Sequence, residues 1–282
     1  MLQRFRRAGY AEAMPELPEV ETVANGVNAR VARDTIVSVW MSDKPQTFKS
    51  PREDVEAALT GSRIERVHRV GKTIVCDLVR ADQSTPQWLV HLGMTGRLLV
   101  SNADVEVPKH THLIASLKSG REIRFVDARR FGRISVAESA YTGPGKEPLK
   151  IDLEAFIALF SGRKTPVKAA LLNQKLLHGV GNIYADESLF RAGIRPKRQA
   201  GRLTRAELTK LHAALKTVLK HAIKLGGSSV SDYVDADGVR GFFQLQHKVY
   251  MRTGEPCTVC GTAIQKIVIG GRSTHFCPEC QR

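Results

Sequence analysis

Four cysteines near the end of the chain have the spacing of a metal site. Cys257 and Cys260 form one C-x-x-C pair, and Cys277 and Cys280 form a second. The segment between the pairs, residues 261–276, is long enough for a short β-hairpin, and the four thiolates suit one tetrahedral zinc ion. Two redox-active dithiols are the alternative interpretation, but the presence of both pairs favours one structural Zn²⁺, as in a zinc ribbon.

The tip of that hairpin would carry an arginine. Residues 270–272 read Gly-Gly-Arg, and a metal-held hairpin would present Arg272 rigidly. The chain has a net charge of +15 and a pI near 9.9, which favours a polyanionic partner, either a nucleic acid or an anionic membrane surface. The membrane option is weak, because no apolar run approaches the roughly 18 residues of a spanning helix and no apolar secretory signal is present. A phosphate is therefore the expected target of Arg272.

A glycine-rich turn, residues 178–182, lies between two predicted helices and reads His-Gly-Val-Gly-Asn. Paired glycines before a helix let the backbone approach a ligand closely, and the free N–H groups of a helix N-terminus attract an anion. Asn182 could cap the second helix and donate to a phosphate, and Lys168 lies in the first turn of the preceding helix. An ordinary turn between helices also explains the glycines. In a basic chain with a zinc site, a grip on a nucleic-acid backbone is favoured.

A second cluster, residues 127–132, reads Asp-Ala-Arg-Arg-Phe-Gly and follows a predicted strand. Arg129 could hydrogen-bond a base edge, and Phe131 could wedge into a base step. Composition alone supports equally well a surface loop with a buried phenylalanine. Met94 is a further candidate wedge, although taken alone it is better explained as core filler.

Pro15 and Glu16 follow a second methionine, Met14. If translation starts at Met14 and this methionine is removed, Pro15 becomes a free secondary amine. An α-amino group has a pKa of about 8, against about 10.4 for lysine, so far more of it is unprotonated and nucleophilic at neutral pH. Attack on a sugar C1′ would give an iminium ion, which permits elimination of a phosphate, and Glu16 is placed for proton transfer. Taken alone, the stretch is better explained as a helix start with Pro and Glu in its first turn.

These residues need a scaffold, and the pattern before residue 138 predicts a mainly β one. A helix is predicted from Pro18, because proline suits the first helical turn and the apolar residues of 20–27 recur on one face. A hairpin turn is predicted at 119–120. Short β-type runs occur at residues 36–40, 73–79, 88–92, 97–100, 113–117 and 123–126. Several strands after one helix indicate a sandwich or barrel with a peripheral helix.

The pattern becomes helical after the Pro- and Gly-rich segment 141–148, so a domain boundary is expected near residue 150. Thr165 and Pro166 predict the start of a helix that runs to Leu177.

A second helix has stronger start signals. Thr204 and Glu207 form a capping box for a long helix to Leu225, whose apolar stripe is interpreted as a core face. The polar, glycine-containing stretch 226–241 that follows is a candidate mobile loop.

The remaining cysteine, Cys76, lies in an apolar run and is interpreted as a buried core thiol rather than a nucleophile. Cysteines committed to a metal site or a core indicate a reducing compartment. At 282 residues the chain can hold two main domains and the metal module.

The motifs together resemble one family, bacterial formamidopyrimidine-DNA glycosylase, over residues 14–282. The segments that carry the resemblance are residues 14–20 (Met-Pro-Glu-Leu-Pro-Glu-Val), 71–72, 92–96, 109–112, 127–132, 179–185 and 270–278.

The resemblance implies an α+β fold in three parts. These are an N-terminal catalytic β-sandwich domain with flanking helices (14–149), a helix-two-turn-helix DNA-binding domain (150–245) and a C-terminal zinc-finger β-hairpin (246–282). DNA would bind in the cleft between them. Residues 1–13 would be an extension absent from the active protein.

The resemblance also implies catalytic roles. Pro15 would be the Schiff-base nucleophile, Glu16 the acid/base beside it, and Lys72 a hairpin lysine that contacts phosphates and assists the reaction. Arg272 would grip the phosphates flanking the lesion.

Further residues would contact DNA or fill the gap left by an everted nucleotide. Arg129 would face the orphaned cytosine, Phe131 would wedge the base step, and the loop 227–241 would close over the everted base. The implied DNA contacts are His110, Arg129, Lys168 and Asn182, and the implied gap-filling residues are Met94, Arg129 and Phe131.

The expected activity is excision of 8-oxoguanine or ring-opened formamidopyrimidines from duplex DNA, followed by β- and δ-elimination that leaves a one-nucleotide gap. A fully cysteine-ligated zinc has no open position for water, which argues against hydrolysis by the metal. We expect a monomer, no membrane partner, and a cytoplasmic, nucleoid-associated location.

One feature departs from the family pattern. While residues 1–13 precede Met14, the Pro15 nitrogen is a tertiary amide, so the chain as written cannot form the iminium ion. A start that is too far upstream, or a processing step, would resolve this. The former is favoured because the extension is short for a transit peptide.

Two alternatives therefore stay open. One is a glycosylase of the same superfamily that acts on oxidised pyrimidines, although such proteins usually have glycine where Leu17 stands. The other is a non-catalytic damaged-DNA-binding protein with a blocked N-terminus.

Overall fold

The first half of the chain forms two antiparallel four-stranded sheets with a shared apolar core. The structure is a computed structural model that describes residues 14–229 and 234–282. One sheet has the order β1-β6-β7-β5, with β1 Ile36–Met41, β6 Thr111–Leu117, β7 Arg121–Val126 and β5 Arg97–Asn102. The other has the order β2-β3-β4-β8, with β2 Arg63–Val70, β3 Thr73–Val79, β4 Gln87–His91 and β8 Arg133–Ala137. The predicted β-sandwich is confirmed.

Two helices flank this sandwich. Helix α1 (Leu17–Val31) begins one residue before the predicted start, because Glu16 is its N-cap in a capping box with Glu19. Its apolar face is fully buried in the sandwich core, as predicted. The sequence pattern did not reveal α2 (Arg52–Leu59), which also packs into that core.

Strand β2 was missed for a physical reason. A bulge between Ile64 and Arg66 shifts the register with β3, so the buried residues Ile64 and Val67 are three apart instead of two. That spacing imitates a helix. Strand β8, which is short and follows the arginine-rich loop, was missed as well.

The second half of the described chain is helical. It contains α3 (Leu153–Phe160), α4 (Val167–Leu172), α5 (Asn182–Ala192) and α6 (Arg205–Lys224). The capping box of Thr204 and Glu207 is present, so the long helix is confirmed. The prediction for α4 was wrong at both ends.

Helix α4 is shorter than predicted and starts differently. Pro166 is its N-cap with no side-chain cap, and the amides of Val167 and Lys168 donate to the carbonyls of Arg198 (2.7 Å) and Pro196 (3.3 Å). The helix ends at Leu172 because Asn173 adopts an extended backbone conformation.

The chain closes with a two-stranded hairpin, β9 (Gln265–Ile269) and β10 (Arg272–Phe276). Its tip is the turn at 270–271, as predicted. The apolar cores fall into three clusters, one each in the sandwich, the helical part and the zinc-finger region. The boundaries at 149/150 and 245/246 stay predictions.

Cys76 is fully buried in the sandwich core, and burial raises the pKa of its thiol. This confirms its interpretation as a core residue. None of the described helices combines the length and the apolar composition of a membrane-spanning segment.

Candidate active site

A groove of about 670 Å³ lies where the sandwich, the helical part and the hairpin tip meet. Glu16, Lys72, Asn182 and Arg272 all line it, together with Met14. These residues come from the start of α1, the β2–β3 turn, the start of α5 and the start of β10. The structure therefore brings together side chains that are up to 256 positions apart in the chain, at 16 and 272.

Glu16 is 4% exposed and lies against the N-terminus of α5. Its Oε1 accepts the amide of Ile183 (3.2 Å), and its Oε2 has no hydrogen-bond partner among the described residues. Burial raises the pKa of Glu16 to about 7, against the opposing effect of Lys72. Near neutral pH this carboxyl can therefore exist in both protonation states, as an acid/base group requires.

Lys72 occupies the turn between β2 and β3. Burial lowers the pKa of its ammonium, while the nearby Glu16 and Glu19 oppose that effect. A lowered lysine pKa increases the fraction of neutral amine available for proton transfer. Glu16 and Lys72 lie in one groove. The acid/base role of Glu16 and the phosphate contact of Lys72 stay predictions.

Glu19 is a site residue that the sequence analysis missed. Its Oε2 accepts the amide of Glu16 (2.8 Å), and its Oε1 accepts the Tyr184 hydroxyl (2.5 Å) and the Ser228 amide (2.7 Å). Glu19 thus connects the start of α1, helix α5 and the residues that precede the 230–233 stretch. A second glutamate three residues after Glu16 is a capping-box signal that could have revealed it.

The paired glycines serve the protein's own N-terminal segment. The Gly179 carbonyl accepts the Leu17 amide (3.0 Å), and a Cβ on Gly181 would lie 2.1 Å from Glu16 Cδ. Gly181, not Asn182, is the N-cap of α5. The predicted cap role of Asn182 was therefore wrong, and the carboxyl group at this helix N-terminus is that of Glu16.

Asn182 nevertheless faces the groove. Its Nδ2 donates to Ser273 Oγ at 3.3 Å, which places it beside the residue that follows Arg272. Its contact with a phosphate stays a prediction.

The second cluster is organised by Asp127. This buried carboxylate accepts the amides of Arg129 (3.2 Å) and Gly132 (2.7 Å) and the hydroxyl of Thr95. The Arg129 guanidinium lies 4.8 Å from the centre of the Phe131 ring, and both side chains are exposed. The loop is therefore held from beneath while its arginine and phenylalanine are presented outward.

Met94 and His110 belong to the same region. Met94 is half-buried in the turn beside Thr95, and the His110 carbonyl accepts the Asp127 amide (3.0 Å). His110 itself is exposed. Met94, His110, Arg129 and Phe131 thus belong to segments that meet at Asp127, and their expected contacts with DNA stay predictions.

Lys168 does not face the groove as a free cation. Its side chain is fully buried, with Nζ 2.7 Å from Asp186 Oδ1 and donating to the Ser273 carbonyl (2.6 Å). Because the ammonium is buried and paired with the Asp186 carboxylate, it is not presented to a phosphate. We therefore correct the expectation that Lys168 grips the DNA backbone directly.

The four cysteines converge as predicted. Their Sγ atoms all lie within 4.8 Å of one another, with Cys257 and Cys280 at 3.9 Å and Cys260 and Cys277 at 3.4 Å. Tetrahedral zinc with Zn–S bonds of about 2.3 Å requires sulfur separations of about 3.8 Å. The donor set therefore fits one structural zinc ion at the base of the hairpin.

The expected closing loop is only partly described, because residues 230–233 lie outside the described ranges. On its near side the Ser228 amide is held by Glu19, and on its far side the Gly241 amide donates to Ser229 Oγ (2.9 Å).

Comparisons with known proteins agree along the chain. Family models match residues 14–134 (formamidopyrimidine-DNA glycosylase N-terminal domain), 144–234 (formamidopyrimidine-DNA glycosylase H2TH domain) and 254–282 (zinc finger found in FPG and IleRS). The formamidopyrimidine-DNA glycosylase of Solibacter usitatus is 43% identical, over 95% of this chain and 100% of that protein. The chain belongs to the formamidopyrimidine-DNA glycosylase family.

Solved structures of the family have the same fold. The protein of Thermus thermophilus superimposes with a TM-score of 0.83 at 39% identity, covering 95% of this chain and 98% of that one. A complex of the Lactococcus lactis protein with abasic-site DNA gives a TM-score of 0.85 at 33% identity, covering 95% and 99%. The chain is thus an enzyme of the formamidopyrimidine-DNA glycosylase family with an FPG-type zinc finger.

Proposed function

We propose that this protein removes oxidised purines, 8-oxoguanine and formamidopyrimidines, from duplex DNA and then cleaves the strand through a Schiff base on Pro15. The observation that carries the proposal is the buried Glu16, with a pKa near 7, in one groove with Lys72 and Arg272. This groove joins a proton-transfer group to cations of the kind that hold phosphates. The relation to family members solved with DNA supports the substrate class.

The proposed reaction starts with the Pro15 nitrogen. It forms a bond to C1′ of the damaged nucleotide while the bond from C1′ to the base breaks, and the departing base takes a proton that protonated Glu16 can supply. The amine then loses its proton, and its lone pair forms the iminium ion as the C1′–O4′ bond breaks, O4′ takes a proton and the sugar ring opens. The iminium acidifies C2′–H, so removal of that proton expels the 3′ phosphate as the C3′–O bond breaks.

A second elimination removes the C4′ proton, breaks the C5′–O bond and releases the 5′ phosphate. Water then hydrolyses the iminium, which frees the sugar fragment and restores the amine. Lys72 would serve the proton transfers of these eliminations, and Arg272 would hold the phosphates. A zinc ion bound by the four cysteines would keep the hairpin folded and Arg272 in place.

The reaction requires a free Pro15 amine, and this gives the test. The chain that begins at Pro15 and the chain of residues 1–282 are each incubated with sodium borohydride and a duplex carrying 8-oxoguanine opposite cytosine. We expect a covalent protein–DNA adduct from the first chain and none from the second, whose Pro15 nitrogen is an amide. No adduct from a chain whose mass confirms Pro15 as its first residue would remove the lyase assignment.

In the chain of residues 1–282 the Pro15 nitrogen is an amide, and this favours a second candidate function, binding of damaged DNA without catalysis. With Pro15 acylated, the groove could still bind damaged DNA without cleaving it. Terminal sequencing of the protein from its natural source distinguishes the two, because proline in first place supports the enzyme.

A panel of oxidised pyrimidine substrates tests the related glycosylase activity. We further propose duplex DNA as the partner of a monomeric protein in the nucleoid.

A further inference from the structure

Lys168 lies in the first turn of α4, and three oxygens surround its ammonium. Nζ is 2.7 Å from Asp186 Oδ1, and it donates to the Ser273 carbonyl (2.6 Å) and to Thr274 Oγ1 (2.9 Å). The contact with Asp186 is an ion pair, because Asp186 Oδ1 has no hydrogen-bond partner among the described residues, and the other two contacts are hydrogen bonds. Both side chains of the ion pair, those of Lys168 and Asp186, are fully buried.

The second carboxylate oxygen of Asp186 binds the same strand. Asp186 Oδ2 accepts the amide of His275 (2.9 Å) and lies 3.2 Å from His275 Nδ1. The pair therefore holds residues 273, 274 and 275, which follow Arg272 directly in β10. It joins α4 and α5 of the helical part to the zinc-finger hairpin.

Asn182 reinforces this junction at its outer side, through its hydrogen bond to Ser273 Oγ (3.3 Å). Arg272 and Asn182 thus line the groove above the buried ion pair. A shift of β10 by a fraction of an ångström would move the Arg272 guanidinium away from a phosphate that the rest of the groove has positioned.

We propose that Lys168 and Asp186 are positioning residues: their buried ion pair locks β10 onto the helical part, so that Arg272 and Asn182 converge on one DNA phosphate. Neither residue touches DNA in this assignment. The proposal rests on the role given to Arg272 in the proposed function, but not on the chemistry of Pro15. It assigns an indirect role to a lysine that would otherwise be taken for a phosphate ligand.

The positioning role is tested by two variants that each remove one negative charge, because electrostatic attraction and positioning predict opposite effects on DNA affinity. Asp186→Asn, in α5, raises the net charge by one, and so does Glu279→Gln, at an exposed position of the zinc finger. Electrostatic attraction alone predicts that both variants bind DNA at least as tightly as the parent. The positioning role predicts instead that Asp186→Asn binds roughly tenfold more weakly, because the Lys168 charge is left unpaired and β10 is released.

Affinity is measured by fluorescence anisotropy on a duplex with a tetrahydrofuran abasic analogue, with one zinc per chain and the circular dichroism spectrum checked for each variant. A folded, zinc-loaded Asp186→Asn that binds as tightly as Glu279→Gln overturns the proposal. The assay requires no covalent step. If borohydride trapping fails but the variants bind DNA as the positioning role predicts, only the proposed Schiff-base chemistry is removed.

A salt titration covers the case in which Asp186→Asn does not fold. Each phosphate contact contributes about 0.9 to the slope of log K against log salt concentration. If Lys168 acts only through Arg272, then three variants should each reduce the magnitude of this negative slope by about 0.9. They are Lys168→Met, Arg272→Ala and the double variant. If Lys168 contacts a phosphate directly, the magnitude of the slope should fall by about 1.8 in the double variant. That additive result overturns the proposal.

Discussion

The protonation state of Glu16 is decided by opposing effects. Burial disfavours the carboxylate, whereas Lys72 and the amides at the start of α5 favour it. Burial is the larger effect, and the pKa rises from the ordinary 4.5 to about 7. The position beside Pro15 thus creates a proton donor at neutral pH from a residue that is normally ionised there.

Glu16→Gln should stabilise the full chain at alkaline pH and have little effect near pH 4.5. The unfolded carboxyl ionises near 4.5 and the folded one near 7. The parent's stabilisation by neutral Glu16 is therefore complete below pH 4.5 and is lost as the pH rises through 7. Glutamine stays neutral, so the difference in free energy of unfolding should reach roughly 3 kcal/mol above pH 8.

Urea denaturation between pH 4.5 and 8.5 measures this difference. Glu56→Gln, at an exposed position of α2, controls for the loss of one charge. A pH-independent effect of Glu16→Gln would contradict the prediction.

Arg272→Ala should weaken DNA binding by about 10- to 100-fold, the loss expected for one hydrogen-bonded charged contact. Arg272 is exposed at the hairpin tip, away from the sulfur atoms that fit zinc. The zinc content should therefore stay unchanged. Anisotropy titration and metal analysis test both parts, and a variant that loses zinc together with affinity would contradict this role.

At the scale of the elements, the β2–β3 turn that carries Lys72 is anchored by Arg69. Its guanidinium donates to Glu21 of α1 (2.6 Å), to the Gly71 carbonyl (3.1 Å) and to both carboxylate oxygens of Glu147 (3.0 Å each). A Cβ on Gly71 would lie 3.2 Å from the ring of His178, which itself lies 3.2 Å from Glu147. The position of Lys72 thus depends on side chains from the sandwich, from the segment 141–148 and from the glycine-rich turn.

Glu147→Gln should destabilise the protein and slow strand cleavage by displacing this turn. Burial alone would raise the pKa of Glu147, but His178 and Arg69 together lower it to about 2. The stabilisation is present above about pH 4.5 and is lost as the pH falls through 2, so the deficit should be about 3 kcal/mol at pH 7.5 and shrink below pH 4.5.

Thermal unfolding at several pH values and single-turnover cleavage of abasic DNA measure the two effects. Glu53→Gln, an exposed substitution in α2, serves as the control. Unchanged stability of Glu147→Gln at pH 7.5 would rule out the anchoring role.

Local patterns predicted the elements whose signals lie within a few residues. The capping box of α6 and the apolar run of β3 are examples. Sequence periodicity failed for β2, because its bulge breaks the alternation. Long-range partners were out of reach: nothing local indicates that Glu16 fills the N-terminus of α5, or that Lys168 pairs with Asp186 instead of a phosphate.

At the scale of the whole molecule, the sandwich and the helical part each have a large apolar core, whereas the zinc finger has a small one. Its cluster contains only Val249, Ile264 and two of the metal-binding cysteines as buried members. So small a core supplies little hydrophobic stabilisation, and metal binding must make up the difference. The hairpin that positions Arg272 is thus the least independent part of the protein.

Removing zinc with a chelator should therefore abolish DNA binding without unfolding the rest of the molecule. Without the metal nothing joins the four sulfur atoms, and the hairpin loses the support that presents Arg272 to the groove. The sandwich core contains no member of the cysteine cluster, so most of the secondary structure should persist in circular dichroism. Anisotropy should report a loss of affinity at least as large as that of Arg272→Ala, and added zinc should restore it. A metal-free protein that binds abasic DNA as tightly as the parent would show that the hairpin folds without its metal.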